Sequence, residues 1–254
     1  MTSVFLPPFM SELPALSWSD DPEREPHIVE THRILEQSQR DKIQPYSVQI
    51  AGRNFFIHPN VFPSSYFNDT EFFARNFPFQ KNERLLEIGP GAGVISVLAA
   101  LQGADVTAVD INPAAVENTK HNAELHCMAG RMRILQGDVY DSLPPTEHFD
   151  TIFWNVPFGY VKLNLSLLER SVFDTDYRSI ERCIRGAPDR LVPGGKLLLG
   201  FSTVMGRFDL LQKYLKSAGC STLEERAKIV HDGRSLPLTF ELFEAKFSSS
   251  IPHE

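Results

Sequence analysis

The residue types with the clearest chemical potential lie in and around a glycine-rich segment, LLEIGPGAGV (85–94). Gly89, Gly91 and Gly93 alternate there with larger residues, between an apolar predicted strand and a predicted helix. Glycine permits a tight turn and lets a ligand approach the backbone without meeting a Cβ, while the helix start offers unpaired N–H groups. Because Glu87 precedes this glycine loop, the site suits an ammonium or sulfonium group better than a pyrophosphate. The alternative interpretation is an ordinary strand-to-helix turn.

Two aspartates lie at the ends of the next two predicted strands. Asp110 ends the apolar run in VTAVDIN, where a carboxylate can accept both hydroxyls of a ribose, cap the next helix, or do both. Asp138 lies in LQGDVYD, where a short acceptor can bind an exocyclic amine such as that of adenine. Together with the glycine loop, these carboxylates at one edge of one sheet indicate an adenosine-containing ligand at the topological switch point.

The pattern of apolar residues predicts the scaffold that brings these segments together. Beyond residue 80, short apolar strands alternate with helical stretches at a spacing typical of βαβ units, which indicates a parallel sheet covered on both faces. The predicted strands are 84–89, 105–111, 132–138, 149–158, 195–202, 222–230 and 238–247, and the predicted helices are 93–103, 113–125, 174–191 and 208–219. The last two strands are expected to form an antiparallel hairpin. The fold class is therefore α/β, with a doubly wound, mostly parallel seven-stranded sheet and an antiparallel closing strand.

The chain before this sheet is predicted to form smaller elements. A helix over 28–43 cannot continue past Pro45, the segment 47–59 is typical of two short strands joined at Gly52, and another helix runs from residue 68 or 69 to about 77. We predict three units: residues 1–45 as an N-terminal arm and helical lid, residues 46–80 as a small β/helix entry segment, and residues 81–254 as the ligand-binding domain.

Composition narrows the class of protein. The 254 residues are 42% hydrophobic and 22% charged, which excludes a disordered, collagen-like or coiled-coil chain. A net charge of −7 disfavours a nucleic acid substrate. Cys127, Cys183 and Cys220 lack the spacing of a metal site or a disulfide framework, and we interpret them as reduced thiols of a cytoplasmic protein. Neither a secretory signal nor a membrane span is expected.

The ordered motifs EIGPGAG, VDIN, GDVYD and NVPF, within residues 84–158, resemble those of class I S-adenosylmethionine-dependent methyltransferases. With the later FSTVMG strand end and the closing hairpin, the resemblance covers roughly residues 80–250. It implies a Rossmann-like fold and S-adenosyl-L-methionine as cofactor. It also implies that the loop glycines lie against the methionine moiety and the ribose. It further implies that Asp110 holds the ribose hydroxyls and that Asp138 with Val139 frames the adenine. Glu87 and Ile111 are also predicted to bind the cofactor.

An upstream segment, HPNVFPSSYFNDTEFF, resembles the element that precedes the first motif in the "small domain" methyltransferases. This resemblance implies that Tyr66, Asp69 or Thr70 lies near the methionine tail of the cofactor.

The tetrapeptide Asn155-Val156-Pro157-Phe158, the NVPF loop, resembles the NPP(Y/F) motif of methyltransferases that act on planar amide or exocyclic amine nitrogens, including release-factor glutamine and rRNA guanine enzymes. The Asn155 side-chain oxygen and the Val156 carbonyl can accept both N–H bonds of an NH2 group, which directs its lone pair at the sulfonium methyl. An aromatic ring at Phe158 can stack on a planar acceptor. Val156 replaces the usual first proline, so the carbonyl remains but the locked φ does not. We predict all four residues as catalytic, with Asn155 also touching the cofactor.

Several aromatic and histidine residues lie outside these motifs. Tyr160 and Tyr177 follow the NVPF loop and are candidates for substrate binding, with a core or surface position as the alternative. Trp154 is predicted as a core or lid residue. His121 and His126 are five positions apart and would not share a helical face, so no metal site is expected.

The leading hypothesis is a methyltransferase that acts on a nitrogen of a small molecule, in a biosynthetic pathway, or of a protein side chain. Nucleic acid and membrane partners are not expected, and the oligomeric state is left open. In one alternative, S-adenosylmethionine is itself the substrate, and attack by its α-amine gives a cyclic amino acid and methylthioadenosine. A second alternative is a cofactor-binding module without catalysis. A dinucleotide oxidoreductase fits the GxGxG spacing poorly.

Overall fold

A computed structural model describes residues 18–19, 21–231 and 236–248. The predicted arm up to residue 17 lies outside the described residues. The first elements are helix α1 (Glu25–Asp41), strands β1 (Tyr46–Ile50) and β2 (Arg53–Ile57), and helix α2 (Asp69–Asn76). The two strands form an antiparallel hairpin whose turn contains Gly52, as the sequence predicts.

The remaining elements follow the predicted alternation. In chain order they are β3 (Arg84–Ile88), α3 (Val94–Leu101), β4 (Asp105–Asp110), α4 (Pro113–Leu125), β5 (Met132–Gln136), β6 (Phe149–Asn155), β7 (Gly159–Val161), β8 (Phe173–Thr175), α5 (Arg178–Gly186), β9 (Leu191–Phe201), α6 (Phe208–Ser217), β10 (Cys220–His231) and β11 (Leu238–Phe247). The small parallel pair β7–β8 is not predicted, and it displaces the start of the predicted helix 174–191 to Arg178.

Seven strands form one sheet in the order β10-β11-β9-β6-β3-β4-β5. Strand β3 pairs in parallel with both β4 and β6, and β11 runs antiparallel to β9 and β10. The predicted α/β, Rossmann-like fold with a mostly parallel seven-stranded sheet and an antiparallel closing strand is confirmed. The chain proceeds outward from β3 through β5 and then returns to β6, so the topological switch point lies between β3 and β6.

The core of the molecule lies on both faces of this sheet. Leu85, Leu86 and Ile88 of β3 are buried, because this strand is central and is covered by helices on both sides. Helix α3 is buried from Val94 to Ala100, which explains why its sequence is apolar all round instead of along one stripe.

Helix α1 packs at the carboxyl edge of the sheet. Ile28 and Leu35 on its inner face are buried, and Arg24 Nε donates to the Gly206 carbonyl at 3.2 Å. Thr31 Oγ1 lies 3.7 Å from Met205 Sδ, in the loop after β9. The helix predicted over 28–43 therefore exists, with its start three residues earlier.

No helix in the described ranges combines the length and the apolar character that crossing a bilayer requires.

Candidate active site

A cleft with about 1120 Å³ of empty volume opens at the carboxyl ends of β3, β4 and β6, beside the switch point. Parallel strands deliver the ends of all the predicted motifs to this one edge. The predicted site residues that line the cleft are Thr70, Glu87, Gly89, Gly91, Asp110, Ile111, Asp138, Val139, Asn155 and Pro157.

The glycine loop has the backbone conformation that requires glycine. Gly89, Gly91 and Gly93 have φ values of +61°, +59° and +76°, which residues with a Cβ rarely adopt. A Cβ at Gly89 would lie 2.9 Å from Trp154 Nε1, and one at Gly93 would lie 2.7 Å from Thr119 Cγ2. Gly93 therefore allows close packing of α3 on α4 and, contrary to expectation, it does not line the cleft.

Asp110 lies at the end of β4 and is buried. Its Oδ2 accepts from the Gly91 N–H at 3.1 Å, and its Oδ1 accepts from the Asn112 N–H at 2.9 Å. Burial raises the pKa of this carboxyl to about 6. Each carboxylate oxygen can accept a further hydrogen bond, so the group can still receive two ribose hydroxyls. Helix α4 is capped by Asn112, whose Oδ1 accepts from the Ala114 N–H at 3.0 Å.

Glu87 is a second buried carboxyl beneath the glycine loop. Its Oε2 accepts from the Ser96 hydroxyl of α3. Burial raises the pKa of Glu87 to about 7, and the nearby Asp110 carboxylate adds to that shift. A cationic ligand in the cleft would favour the ionised form of both groups.

Asp138 and Val139 follow β5 on the other side of the cleft. Asp138 Oδ1 lies 2.6 Å from Arg182 Nη2, and its Oδ2 lies 3.5 Å from Arg170 Nη2. An exocyclic amine at this carboxylate would therefore share it with two guanidinium groups. Val139 has a φ of +57°, an uncommon conformation for a β-branched residue that is found chiefly where a binding loop is held by its surroundings.

The NVPF loop continues directly from β6. Asn155 Nδ2 donates to Asp69 Oδ2 at 2.8 Å, whereas Asn155 Oδ1 is buried and has no hydrogen-bond partner among the described residues. The Val156 N–H donates to the Gly200 carbonyl at 3.1 Å. Asn155 and Pro157 line the cleft, and Asn155, Val156 and Phe158 line a smaller adjoining cavity.

Phe158 does not occupy the position expected for a stacking platform. Its side chain is only 8% exposed, and its ring packs 6.2 Å from the rings of both Phe201 and Phe240. These contacts make it part of the core beneath the loop. The expectation that Phe158 stacks on the acceptor is therefore not supported by this arrangement.

The three tyrosines predicted near the cofactor or the substrate lie elsewhere. The fully buried Tyr177 hydroxyl donates to the Phe158 carbonyl and accepts from the Arg207 N–H at 2.9 Å. Tyr160 packs edge-on against Tyr177, with ring centroids 5.2 Å apart. Tyr66 donates to Asp41 Oδ2 at 2.8 Å, at the end of α1. None of the three lines the cleft.

Several cleft residues were not predicted as such. Trp154, expected in the core or a lid, lines the cleft with its indole against Gly89, and Phe73, Arg170 and Phe173 also line it. The position of Trp154 immediately before the NVPF loop was the available signal. Within the described ranges, no group of three or more His, Cys, Asp or Glu side chains is arranged to hold a metal ion.

The sheet order and the motifs at its carboxyl edge define a class I S-adenosylmethionine-dependent methyltransferase. Residues 52–231 match the methyltransferase small domain, and the chain belongs to that family. The residues present fit S-adenosylmethionine: a cradle of left-handed glycines, a strand-end carboxylate at Asp110, and a buried acceptor at Asn155 without a partner among the described residues. The chain therefore carries the cofactor-binding features of an S-adenosylmethionine-dependent methyltransferase domain.

Two relatives illustrate the range of the family. The "Putative protein N5-glutamine methyltransferase" of Methanocaldococcus jannaschii is 31% identical over 178 residues, which cover 68% of this chain and 87% of that protein. The ribosomal RNA small subunit methyltransferase C of Chromohalobacter salexigens is 31% identical over 156 residues, which cover 59% of this chain. This chain spans 42% of the length of that second relative, and 46% of a release factor glutamine methyltransferase of Bordetella pertussis.

A solved structure shows the same fold. The Thermus thermophilus 16S rRNA N2 methyltransferase, determined with AdoMet and guanosine, superposes with a TM-score of 0.53 at 20% identity, covering 81% of this chain and 50% of that one.

These relatives correct the expected partners. The expectation that nucleic acid is an unlikely partner is wrong, because relatives named ribosomal RNA methyltransferases match more than half of the chain. A small-molecule acceptor has no support among these relatives, whose names refer to ribosomal RNA or protein glutamine. Net charge does not exclude a nucleic acid substrate, because it averages over the whole surface whereas a substrate contacts one part of it.

Proposed function

We propose that this methyltransferase acts on a planar nitrogen that carries two hydrogens, as found in an amide or an exocyclic amine. One observation carries the proposal: the buried Asn155 Oδ1 has no hydrogen-bond partner in the described part of the chain. It lies at the end of β6, in a residue that lines both the main cleft and the smaller cavity.

A buried acceptor without a partner is unfavourable by about 1–3 kcal/mol, so its retention calls for a reason. A substrate N–H that bonds to this oxygen removes the penalty. The Val156 carbonyl, next in the chain, is the second acceptor of the motif. Two acceptors on the two N–H bonds fix the plane of the NH2 group, which leaves the nitrogen lone pair perpendicular to that plane.

The cofactor, when bound, supplies a methyl group activated by a sulfonium. Gly89, Gly91 and Asp110 are the residues that would hold its methionine and ribose parts, and Asp138 would face its adenine. Glu87, buried below the loop, places negative charge near the cationic ligand. The acceptor nitrogen gains the methyl group and releases one proton, so the products are an N-methylated group, a proton and S-adenosylhomocysteine.

The relatives support a nitrogen acceptor of this type. The name of the M. jannaschii relative specifies N5 of glutamine, which is an amide nitrogen, and the T. thermophilus enzyme is named for N2 in 16S rRNA. Both groups are planar NH2 groups conjugated to an electron-withdrawing system. The proposed role of the NVPF loop is therefore compatible with either macromolecule as the carrier of the nitrogen.

Substitution of Asn155 tests this proposal. We expect N155A to lower S-adenosylhomocysteine formation with a cell extract by on the order of 100-fold, because it removes a group that orients the acceptor in the transition state. Cofactor affinity, measured by calorimetry, should stay within about twofold of the original protein, because the glycine loop and Asp110 are untouched.

The matched control is N54A, which truncates an exposed asparagine on β2. It should retain full turnover. Turnover of N155A within about twofold of the original protein would remove the NVPF loop from the mechanism.

A further inference from the structure

We propose that Asp69 is a positioning residue that fixes which end of the Asn155 carboxamide faces the substrate. This inference rests on the proposed function of Asn155. It assigns a role to a residue 86 positions upstream that contacts the NVPF loop through the hydrogen bond from Asn155 Nδ2 to Asp69 Oδ2 at 2.8 Å.

The placement of Asp69 is unusual for an aspartate at the start of a helix. It is the first residue of α2, where a carboxylate commonly caps the helix or lies in solvent. Here its side chain is only 4% exposed and is directed to the end of β6. Helix α2 is held there by Phe73, whose ring lies 6.3 Å from that of Phe153 on β6.

The chemistry of the pair determines the orientation of the amide. The two ends of an asparagine carboxamide have nearly the same shape, so packing alone distinguishes them poorly. An ionised carboxylate can only accept hydrogen bonds and therefore selects the NH2 end of Asn155. The oxygen is then left as an acceptor, which is the polarity that an NH2 substrate requires. In the flipped orientation, two acceptors would meet at Asp69 and two donors would meet at the substrate.

Gly200 completes the arrangement. It is the partner of Asn155 in the register of β6 and β9, and a Cβ at this position would lie 2.7 Å from Asn155 Oδ1 and 2.7 Å from the Phe73 ring. The absence of a side chain leaves space for the carboxamide in the orientation that Asp69 selects.

The alternative role for Asp69 is a tether between α2 and β6, and D69N distinguishes the two. An amide at position 69 keeps the size of the side chain and can still hydrogen-bond to Asn155, but it accepts either end of the Asn155 carboxamide. We expect D69N to lower kcat at least about tenfold, with unchanged cofactor affinity and thermal midpoint. If Asp69 served only as a tether, D69N should keep full turnover.

Exchanging the side chains at positions 69 and 155 gives a second, independent test. N155D alone places two carboxylates together and should lose turnover. D69N/N155D restores one hydrogen bond with donor and acceptor exchanged, and again leaves an oxygen at position 155 for the substrate. We expect the double variant to turn over at least about tenfold faster than N155D, which a double-mutant cycle records as coupling.

Controls separate this inference from the proposed function. E71Q changes a carboxylate on the same helix that instead accepts from the Ala51 N–H and Arg75, and it should keep turnover. If D69N does not fold, the turnover of D69E should exceed that of D69Q by about tenfold. Only the carboxylate of D69E is restricted to accepting hydrogen bonds, because the amide of D69Q can also donate them.

Full turnover of D69N, equal turnover of D69E and D69Q, or no gain of D69N/N155D over N155D would each overturn the role of Asp69. In all three cases a large loss of turnover in N155A would still support the proposed function. Full turnover of N155A would instead overturn the proposed function, and the role of Asp69 with it.

Discussion

Two buried carboxyl groups beside the glycine loop differ from ordinary carboxyls at neutral pH. Burial raises the pKa of Glu87 to about 7 and that of Asp110 to about 6, so both take up protons within a range where surface carboxylates stay ionised. The fold tolerates this because Ser96 and two backbone N–H groups bond to these oxygens. A cationic ligand stabilises the ionised forms, so ligand binding and proton release are linked.

We therefore predict that the affinity for S-adenosylmethionine falls as the pH is lowered. Protonation competes with binding below the pKa values of the free protein, so affinity should decrease by about tenfold between about pH 8 and about pH 5.5. Calorimetry in two buffers of different ionisation enthalpy should show proton release near pH 7. E87Q should remove the change in affinity near pH 7. The control E117Q, which replaces an exposed carboxylate on α4, should leave the pH dependence of the affinity unchanged. Constant affinity over this range, or a rise on acidification, would contradict the linkage.

The site residues that could be predicted from the sequence are those that lie at the end of a strand or directly after it. Gly89 directly follows β3, Asp110 and Asn155 are the last residues of β4 and β6, and all three line the cleft. Tyr66 and Tyr177 do not line the cleft, because closeness in sequence to a motif does not determine which way a side chain points. The Asp69–Asn155 contact depends on how α2 packs against the sheet, which no local pattern records.

At the level of elements, the structure explains how the NVPF loop is held without the usual first proline. The Val156 N–H bonds to Gly200, and the Tyr177 hydroxyl bridges the Phe158 carbonyl and the Arg207 N–H. These hydrogen bonds connect the loop after β6 to the end of β9 and to the loop that follows β9. Hydrogen bonds from neighbouring elements supply rigidity that a proline would supply through its fixed φ.

Removing the Tyr177 hydroxyl tests this support. We expect Y177F to lower the free energy of unfolding by about 1–3 kcal/mol, because the Phe158 carbonyl and the Arg207 N–H lose a buried partner. Turnover should fall along with it, while cofactor affinity changes little. Denaturant unfolding and S-adenosylhomocysteine formation measure the two effects.

The control for this substitution is Y46F. It removes a hydroxyl that accepts a hydrogen bond from the exposed Ser65 hydroxyl at 3.2 Å, far from the NVPF loop in the chain. Equal stability of Y177F and Y46F would refute the bridge.

The helices and strands were predictable where the spacing of apolar residues is regular over many positions. Helix α4 and strand β11 have the predicted bounds, because a proline marks the start of the helix and the strand alternates apolar with polar residues over most of its length. Strands β7 and β8 have three residues each, too few to show a period, and their pairing exists only in the folded chain. The predicted helix before β9 began too early for this reason.

For the whole molecule, the sheet order determines where the candidate cleft opens, and helix α1 lies at the same edge of the sheet. Arg24 and Thr31 contact the loop after β9, and Thr31 lines the same small cavity as Asn155. The formal charge of −7 carried no reliable information about the substrate, since relatives of this family are named for ribosomal RNA as well as for protein glutamine. The division of the chain at residues 45 and 80 remains a prediction.

The most direct measurement uses S-adenosylmethionine with an isotopically labelled methyl group, incubated with the protein alone and then with a cell extract. Mass spectrometry of the nucleoside products and of hydrolysed RNA and protein locates the label. We predict no turnover without extract, and with extract S-adenosylhomocysteine together with label on a nitrogen that was an amide or exocyclic NH2 group. Methylthioadenosine formed by the protein alone, or label found on oxygen or carbon, would contradict the assignment of nitrogen methyl transfer to this site.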